Sequence, residues 1–434
     1  MPVSKNDVPS SPLRVAVIAD SDTRWKWGAL TARRLSADPV AVPVDLSGFL
    51  LRGRATPTAR QLAEVGVGDV DVRELTGAEF LREVEREAYD VVVLALVGGA
   101  VQAVLHGLAG LDVAPRPVVV TGYVGVVYEK LADGLLLRHG ADVVLANSRH
   151  DADRFRAVYE GVGADADAVT EAALPFLGGA PYEGESVKTV TFAAQPSVPE
   201  SRADRTYLLR RLVEHARLHP DREVLLKLRS KPGEHTTHLE ELPYQKLVAG
   251  MDVPANFRLV YGHMGEVLDR TDLLVTVSST AALESLHRRI PTAILTDLGV
   301  REALGNHHFL GSGCLASWEQ LDAGERPLAD EEWLAAQGVA ADGSYETAFD
   351  AVRKRVAQLL AEPRLPPLAP YYTPATAPGY LPGILARYRL DAAPAPEATG
   401  LRRVVRDAMR DAARGAYRHG VQRVAPVIRR MGEL

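Results

Sequence analysis

Short apolar runs alternate with longer stretches of mixed polarity along the first 176 residues. Residues 14–19 are mostly apolar and rich in β-branched side chains, which predicts a buried strand, and residues 23–36 have the mixed pattern of a helix. The same alternation recurs downstream and predicts a parallel sheet with helices on both faces. The further strands are predicted at 90–96, 117–120 and 142–146, and the helices between them at 77–87 and 149–159.

A second unit of the same kind follows a stretch rich in Gly, Pro and Glu, residues 177–187, which is the best linker candidate. Two consecutive doubly wound units predict an α/β protein with a ligand cleft between two Rossmann-like domains. We therefore expect an N-terminal domain at 12–176 and a second domain at 188–365. Its strands are predicted at 189–193, 223–228, 257–260 and 273–277, with 292–295 as the last, and its helices at 201–217 and 280–288.

The last part of the chain changes character. Residues 366–400 are rich in proline and predict an extended crossing segment that ends in a flexible tether. Residues 401–434 have apolar positions at spacings of three and four, with arginines mainly on the other side, which predicts a basic amphipathic helix. Such a helix fits an anionic membrane surface. The alternative is a helix that packs on the two domains and exposes its arginines.

Composition narrows the class of protein. A chain of 434 residues is long enough for two cores, and its net charge of −6 argues against general nucleic-acid binding. The lone Cys314 excludes an internal disulfide, and no cysteine cluster is present to hold zinc. Without an apolar run of about 20 residues or a signal-peptide pattern, we expect a cytoplasmic protein. A peripheral position at the inner face of the plasma membrane is the alternative.

Acidic, basic and aromatic residues directly follow the first predicted strand, in the turn ADSDTRWKWG. Ligands of open α/β sheets bind at the carboxyl ends of strands, so this turn is a candidate site. Asp20 and Asp22 are candidate general bases, and Lys26 is a candidate for binding an anionic acceptor. Alternatively, Asp22 caps the following helix. The turn lacks the GxGxxG pattern, which disfavours a dinucleotide site.

A second constellation, TGYVGVVYEK, follows another predicted strand. Its glycines allow backbone to approach a ligand closely, so Gly122 and Tyr123 are candidate acceptor-binding residues. Glu129 is a further candidate for the base. Asn147 and Ser148 follow a later strand, where they either present a polar loop to the cleft or simply start a helix.

A basic loop, KLRSKPGEH, follows a predicted strand of the second unit. Lys227, Arg229 and Lys231 place three cations within five residues, which would neutralise a phosphate leaving group without a metal ion. His235 could protonate that phosphate, because imidazole titrates near neutral pH. The alternative is a run of exposed basic residues.

The most specific motif is VSSTAALES, in which a buried strand ends in hydroxyl residues that open a helix. Amide groups at a helix N-terminus bind anions and hydroxyls add donors, so Ser278, Ser279 and Thr280 predict a phosphate site. Glu284 could accept hydrogen bonds from a ribose. Ser and Thr are also ordinary helix caps, which is the alternative interpretation.

From the basic loop through YGHM and SSTAALES to Ile290-Pro291-Thr292, the chain resembles the donor domain of GT-B glycosyltransferases. The nearest resemblance is to bacterial sialyltransferase and polysialyltransferase-like proteins and related capsule-polymer transferases. It covers roughly residues 185–300 and adds Gly262 and His263 to the donor-binding candidates.

The resemblance implies an inverting transfer that needs no metal and no organic cofactor. In those families a Ser-Ser/Thr element binds the phosphate of a CMP-sugar, and a first-domain Asp or Glu is the base. That role carries over only to Asp20, Asp22 and Glu129. The His-Pro pair of those families has no counterpart here, where Arg229-Ser230-Lys231-Pro232 stands in its place and His235 follows.

We therefore expect a glycosyltransferase with a nucleotide-sugar donor. A CMP-sugar carrying a sialic-acid-like nonulosonate is favoured, and a UDP-sugar is the alternative. The expected acceptor is a cell-surface glycan or a lipid-linked molecule. Three other functions stay open: a sugar-nucleotide 2-epimerase, a polyol-phosphate transferase of the teichoic acid type, and a nonenzymatic nucleotide-sugar-binding scaffold.

Overall fold

The computed structural model describes residues 11–36, 42–53, 56–126, 131–231, 242–339, 344–388 and 390. The predictions made for Glu129, His235, the tether after residue 390 and the basic helix at 401–434 lie outside these residues. Among the described helices, none is both long and apolar enough to cross a membrane.

Thirteen strands occur in the described parts of the chain, and the apolar runs predicted from the sequence coincide with the most buried of them. Their bounds are β1 Leu13–Ala19, β2 Val44–Leu51, β3 Val72–Leu75, β4 Val91–Ala95, β5 Val118–Gly122, β6 Val143–Ala146, β7 Val169–Glu171, β8 Thr189–Ala193, β9 Glu223–Lys227, β10 Phe257–Val260, β11 Leu273–Thr276, β12 Thr292–Leu295 and β13 Leu315–Ala316.

Helices occupy most connections between the strands. The α-helices are α1 Asp22–Ala32, α2 Ala59–Ala63, α3 Gly77–Arg86, α4 Gly98–Ala109, α5 Leu131–Leu136, α6 Arg149–Gly161, α7 Arg202–Leu218, α8 Tyr244–Val248, α9 Met264–Leu268, α10 Ala281–His287, α11 Trp318–Asp322, α12 Glu331–Ala336, α13 Asp350–Ala361 and α14 Leu381–Tyr388. Short 3₁₀ helices lie at Glu302–Leu304, Asn306–Phe309 and Ser344–Thr347.

Two parallel sheets organise the molecule. The first has the order β3-β2-β1-β4-β5-β6-β7 and the second the order β10-β9-β8-β11-β12-β13. Each is a Rossmann-like sheet in which the chain reverses direction of travel beside its first strand, between β1 and β4 and between β8 and β11. Residues 172–188 contain neither helix nor strand and join the two. The predicted fold, two Rossmann-like domains in a GT-B arrangement, is confirmed.

The second sheet has one more strand than predicted. The sequence-based prediction made 292–295 the last strand, but β13 pairs in parallel with β12 beyond it, through Ile294 with Leu315 and Leu295 with Ala316. A two-residue strand is too short to show a period of alternation, so its pattern carried no signal.

The last helices return to the first domain. The sequence boundary at residue 365 groups α13 with the second sheet, but α13 packs on β5, β6 and β7 of the first. Val352 and Val356 are buried in the same apolar cluster as Val120 and Val143. The described crossing segment continues along this domain, where the carbonyl of Tyr372 accepts from His106 Nε2 at 2.8 Å and α14 packs on α4.

Candidate active-site cleft

The carboxyl ends of the strands in the two sheets face each other across a cleft of about 850 Å³. The first domain contributes the start of α1, the turn after β5 and part of α2. The second contributes the segments that follow β8, β9 and β11. Both points of strand-order reversal therefore border one cavity, which is where open α/β sheets bind ligands.

Helix α1 carries two charged side chains into the cleft. Trp25 and Trp27 are fully buried under the helix, which holds it against the sheet. Asp22 and Lys26 lie one turn apart, so they share a face of the helix, and both line the cleft. Ser21, rather than Asp22, is the N-cap, because its side chain accepts from the amide of Arg24.

Both charged residues of α1 pair with the second domain. Asp22 Oδ1 accepts a hydrogen bond from Arg229 Nη2, and Lys26 Nζ lies 3.4 Å from Glu284 Oε2. The side chains of Asp22, Lys26 and Glu284 are 11%, 12% and 12% exposed, and that of Arg229 is 28% exposed. Two ion pairs of opposite sense thus cross the cleft from one domain to the other.

Asp20 does not line the cleft. Its Oδ2 accepts from the amide of Val97 at 3.0 Å, and its Oδ1 accepts from Arg24 Nη1 at 2.9 Å. These bonds tie the end of β1 to the end of β4 within the first domain. Asp20 thus stabilises the carboxyl-terminal edge of the first sheet. Of the two acids, only Asp22 lines the cleft.

Lys227 is a buried cation of the cleft whose pKa is strongly lowered. It is 8% exposed at the end of β9, and its ammonium donates to the carbonyl of Leu228 at 2.9 Å. Burial lowers the pKa of Lys227 to about 8, with the charges of Glu64 and Glu284 opposing this shift. A buried ammonium that lines a cavity is well placed to bind an anion, because the ion pair would offset its desolvation.

The hydroxyl residues after β11 divide into two roles. Ser278 is 1% exposed, and its Oγ donates to the carbonyl of Leu304 at 2.5 Å and accepts from Gln195 Nε2 at 3.1 Å. Ser279 and Thr280 are only half-buried and line the cleft. All three residues therefore line the cleft, but Ser278 is buried with its hydroxyl bonded within the protein, whereas Ser279, whose Oγ accepts from the amide of Ala281 at 3.2 Å, and Thr280 are less buried.

Gly262 and His263 form the turn between β10 and α9 and both line the cleft. Gly262 has a φ of +96°, a conformation that favours glycine. His263 packs against Gly66 of the first domain. Burial, and then the nearby charge of Lys26, lower the pKa of His263, so its imidazole is neutral at pH 7.

The two candidates after β5 are placed differently. Gly122 is buried in the strand, where a Cβ would lie 2.8 Å from Trp27 Cζ2 and 2.9 Å from the carbonyl oxygen of Leu145. It does not line the cleft, so its role is packing. Tyr123 does line the cleft, and Arg138 lies over its ring at 4.0 Å from the centroid.

The segment after β6 starts a helix. Ser148 caps α6 by accepting from the amide of Asp151 at 3.0 Å, and Asn147 Nδ2 donates to the carbonyl of Tyr123 at 2.7 Å. Of the two interpretations drawn from the sequence, the helix start describes these residues.

Lys231, the third cation of the basic loop, is exposed and does not line the cleft, and its ammonium lies 5.9 Å from the ring centroid of Tyr261.

The loop after β8 was not singled out from the sequence, yet residues 193–200 line the cleft. Arg205, 1% exposed, donates from Nη1 to the carbonyls of Gln195, Pro196 and Pro199, and its guanidinium lies 4.2 Å from the ring centroid of Tyr244. The position of this loop after a strand is the only signal of it in the sequence. Arg205 gives no signal, because a buried arginine cannot be distinguished from an exposed helix arginine in the sequence pattern.

One group of possible metal ligands lies elsewhere, on α7 and α11. His215, His219 and Asp322 bring one ligand atom each within 4.8 Å of one another. However, His215 Nδ1 is 2.6 Å from Asp322 Oδ1, and the other carboxylate oxygen, Asp322 Oδ2, accepts from Arg211 Nη2 at 2.8 Å. A guanidinium on the same carboxylate favours an ion-pair network, so we assign no metal to this group.

Residues 15–359 match the model of a protein family described as "Putative glycosyltransferase (DUF6716)". The match spans most of the chain, including both sheets and the whole cleft. The chain belongs to this family. The prediction of an enzyme of the glycosyltransferase class is thereby confirmed at the level of the family. No curated protein matches the chain.

Solved structures share the fold at low sequence identity. The UDP-GlcNAc 2-epimerase from Neisseria meningitidis bound to UDP-GlcNAc is 11% identical, with 80% of this chain and 100% of that chain covered and a TM-score of 0.52. The UDP-GlcNAc 2-epimerase from Methanocaldococcus jannaschii is 10% identical over 80% and 100%, with a TM-score of 0.47. The spinosyn rhamnosyltransferase SpnG is 14% identical over 81% and 97%, with a TM-score of 0.41.

Proposed function

We propose that this protein is an inverting glycosyltransferase that uses Asp22 as the base and binds its sugar nucleotide through Lys227 and Arg229. The observation that carries the proposal is the opposition of these groups across one cleft. Asp22 lies on the first-domain wall, and the two cations lie on the second-domain wall. Inverting transfer needs a base on one side of the anomeric carbon and stabilisation of the leaving phosphate on the other.

In the proposed reaction, the acceptor hydroxyl gives its proton to Asp22, and its oxygen forms the new bond to the anomeric carbon. The bond from that carbon to the phosphate oxygen breaks, and the phosphate leaves with the electron pair. Lys227 and Arg229 balance the charge that develops on it. Ser279 and Thr280 add hydroxyl donors at the rim, and Glu284 is placed to receive a ribose hydroxyl. Because its imidazole is neutral at pH 7, His263 is assigned to donor binding rather than to protonation of the phosphate.

The identity of the donor is the narrower part of the proposal. A CMP-sugar is favoured by the resemblance of the Ser278-Ser279-Thr280 element to sialyltransferase-like donor domains, and a UDP-sugar is the alternative. A neighbour of this fold was solved with UDP-GlcNAc bound. We retain a glycan or lipid-linked acceptor as part of the proposal, with Lys26 and Tyr123 as its contacts in the first domain.

A thermal-unfolding screen against CMP, UMP, CDP, UDP and GDP, with and without magnesium, tests the donor site. A ligand at 100 times its Kd adds about 2.7 kcal/mol of stability. Stabilisation by CMP that is indifferent to magnesium supports the CMP-sugar form, and stabilisation by UDP moves the donor class. If no nucleotide stabilises the protein, the proposal fails.

Incubation of the stabilising sugar nucleotide with the protein alone separates transfer from epimerisation. A 2-epimerase changes the sugar of the donor without any acceptor, whereas a transferase requires one. Conversion of the donor to its epimer would contradict the proposal. Binding without turnover across a broad acceptor panel would favour the scaffold.

A further inference from the structure

Arg229 has two possible partners in the cleft, the carboxylate of Asp22 and the phosphate of the donor. It donates to Asp22 of the first domain, and it lies two residues after Lys227 on the wall that we propose binds phosphate. A guanidinium has five N–H donors in one plane, so it can bind either a carboxylate or a phosphate. In the proposed reaction, Asp22 activates the acceptor, whereas the phosphate belongs to the donor. The arrangement therefore couples the group that receives the donor to the group that activates the acceptor.

The two cations of the second domain differ in how their charge is balanced. Lys227 makes a hydrogen bond to a backbone carbonyl, and burial depresses its pKa. Arg229 is already balanced by Asp22. An entering phosphate can thus pair with Lys227 at once, but it must compete with Asp22 for Arg229.

We infer that Arg229 is a positioning residue that holds Asp22 through their ion pair and exchanges Asp22 for the phosphate of a sugar nucleotide when the donor binds. This inference rests on the proposed function. With donor bound, Arg229 turns to the phosphate, and the carboxylate oxygen it occupied becomes free to accept the proton of the acceptor hydroxyl.

The second interdomain ion pair keeps the walls together during this exchange. Lys26 and Glu284 are both about one-eighth exposed and also join α1 to the second domain. Lys26 further lies 4.8 Å from the ring centroid of Phe176, in the segment that connects the domains. Because this pair does not involve Arg229, release of Asp22 does not by itself separate the domains.

The test measures Kd for UDP and for CMP by titration calorimetry on the full chain, in the wild type, Asp22→Asn, Arg229→Gln and the double variant. In the wild type, part of the binding energy is spent on breaking the pair of Asp22 with Arg229. We therefore expect Asp22→Asn to bind the nucleotide about three- to tenfold more tightly, even though it removes the proposed base. Arg229→Gln weakens binding, and in that background Asp22→Asn changes Kd less than twofold.

Glu302→Gln is the control for a general charge effect. Glu302 is another acid that lines the cleft, and it is not among the charges that shift the pKa of Lys227. We expect it to change Kd less than twofold, so equal tightening by Glu302→Gln and Asp22→Asn would overturn the inference. Tightening by Asp22→Asn that persists in the Arg229→Gln background would also overturn it.

The outcomes separate the inference from the function on which it rests. If the wild type binds neither nucleotide, the proposed donor site and the inference both fail. If it binds one of them and Asp22→Asn is neutral or weaker, only the inference fails. Asp22→Ser provides a second variant if the Asn variant has a lowered unfolding temperature.

Discussion

The two edges of the cleft have the same topology and different chemistry. Each follows a parallel strand beside the reversal of strand order. On the first-domain edge, Asp22, the carboxylate that lines the cleft, is paired with Arg229, and Asp20, outside the cleft lining, is bonded to Arg24 and to the amide of Val97, so both charges are balanced. On the second-domain edge, Lys227 is buried with a pKa of about 8. The shared fold thus sets where a ligand binds, and the loop residues set which charges it meets.

This difference indicates which edge holds more of the binding energy. A charge that is already paired gains little from a ligand, whereas a desolvated ammonium gains much. We therefore expect removal of a cation from the second-domain edge to weaken nucleotide binding. On the first-domain edge, we expect only Asp22 to influence nucleotide affinity, through its ion pair with Arg229, and the other substitutions to change stability or turnover.

The largest expected effect comes from Lys227→Met. Loss of a charge-assisted hydrogen bond to phosphate weakens nucleotide binding about 100-fold. The free energy of unfolding does not fall, because a buried charge is removed. Calorimetric Kd values and urea unfolding measure the two effects. Lys188→Met, an exposed lysine just before β8, is the control, and a similar loss there would refute the assignment.

The pH dependence of binding sharpens the same point. Below pH 8 the ammonium of Lys227 is charged in the free protein, and above pH 8 it must take up a proton when the phosphate binds. Affinity for the nucleotide therefore falls by up to about tenfold per pH unit above pH 8. The same lowered pKa makes the folded state gain stability as pH rises above 8, because the unfolded chain still binds the proton. Lys227→Met should show a flat affinity profile from pH 7 to 9, and a profile like that of the wild type would contradict the assignment.

Adjacent serines on the second-domain edge should separate stability from binding. Ser278→Ala removes a buried hydroxyl that joins Gln195 and Leu304, which costs about 1–3 kcal/mol of unfolding free energy. Ser279→Ala costs under about 1 kcal/mol and weakens the nucleotide several-fold. Urea unfolding and calorimetry of both variants measure this. Equal stability losses would show that the two hydroxyls are not distinguished by burial.

Two glycines compare the edges directly. Gly122→Ala on the first-domain edge places a Cβ against Trp27 and the backbone of β6, which costs about 1–3 kcal/mol of stability with nucleotide affinity unchanged. Gly262→Ala meets no atom within 4 Å but keeps a φ of +96°, so it costs about 1–2 kcal/mol through backbone strain. Because Gly262 borders the cleft, its variant should also weaken binding. If only Gly122→Ala weakens the nucleotide, the division between the edges is wrong.

Much of the architecture could be predicted because buried parallel strands leave continuous apolar runs. Thr189–Ala193, Phe257–Val260 and Thr292–Leu295 were predicted with the bounds that the structure has. Strands β2 and β3 at the edge of the first sheet were not, because the residues in the first half of β2 and in most of β3 are partly buried or exposed and mix polar with apolar types. For α13, the helical pattern does not say which of two sheets the apolar face will cover.

The sequence alone determined that two α/β units follow each other, that charged and hydroxyl residues come directly after their strands, and that Asp22, Lys227 and Arg229 belong among the candidates. These properties are local, since they depend on periodicity and on the order of residues along the chain. Only the tertiary structure decided that Asp22 pairs with Arg229 while Asp20 is bonded within its own domain, and that Ser278 is buried while Ser279 is partly exposed in the cleft. Pairing and burial depend on which distant segments come together, and a one-dimensional pattern carries no information on that.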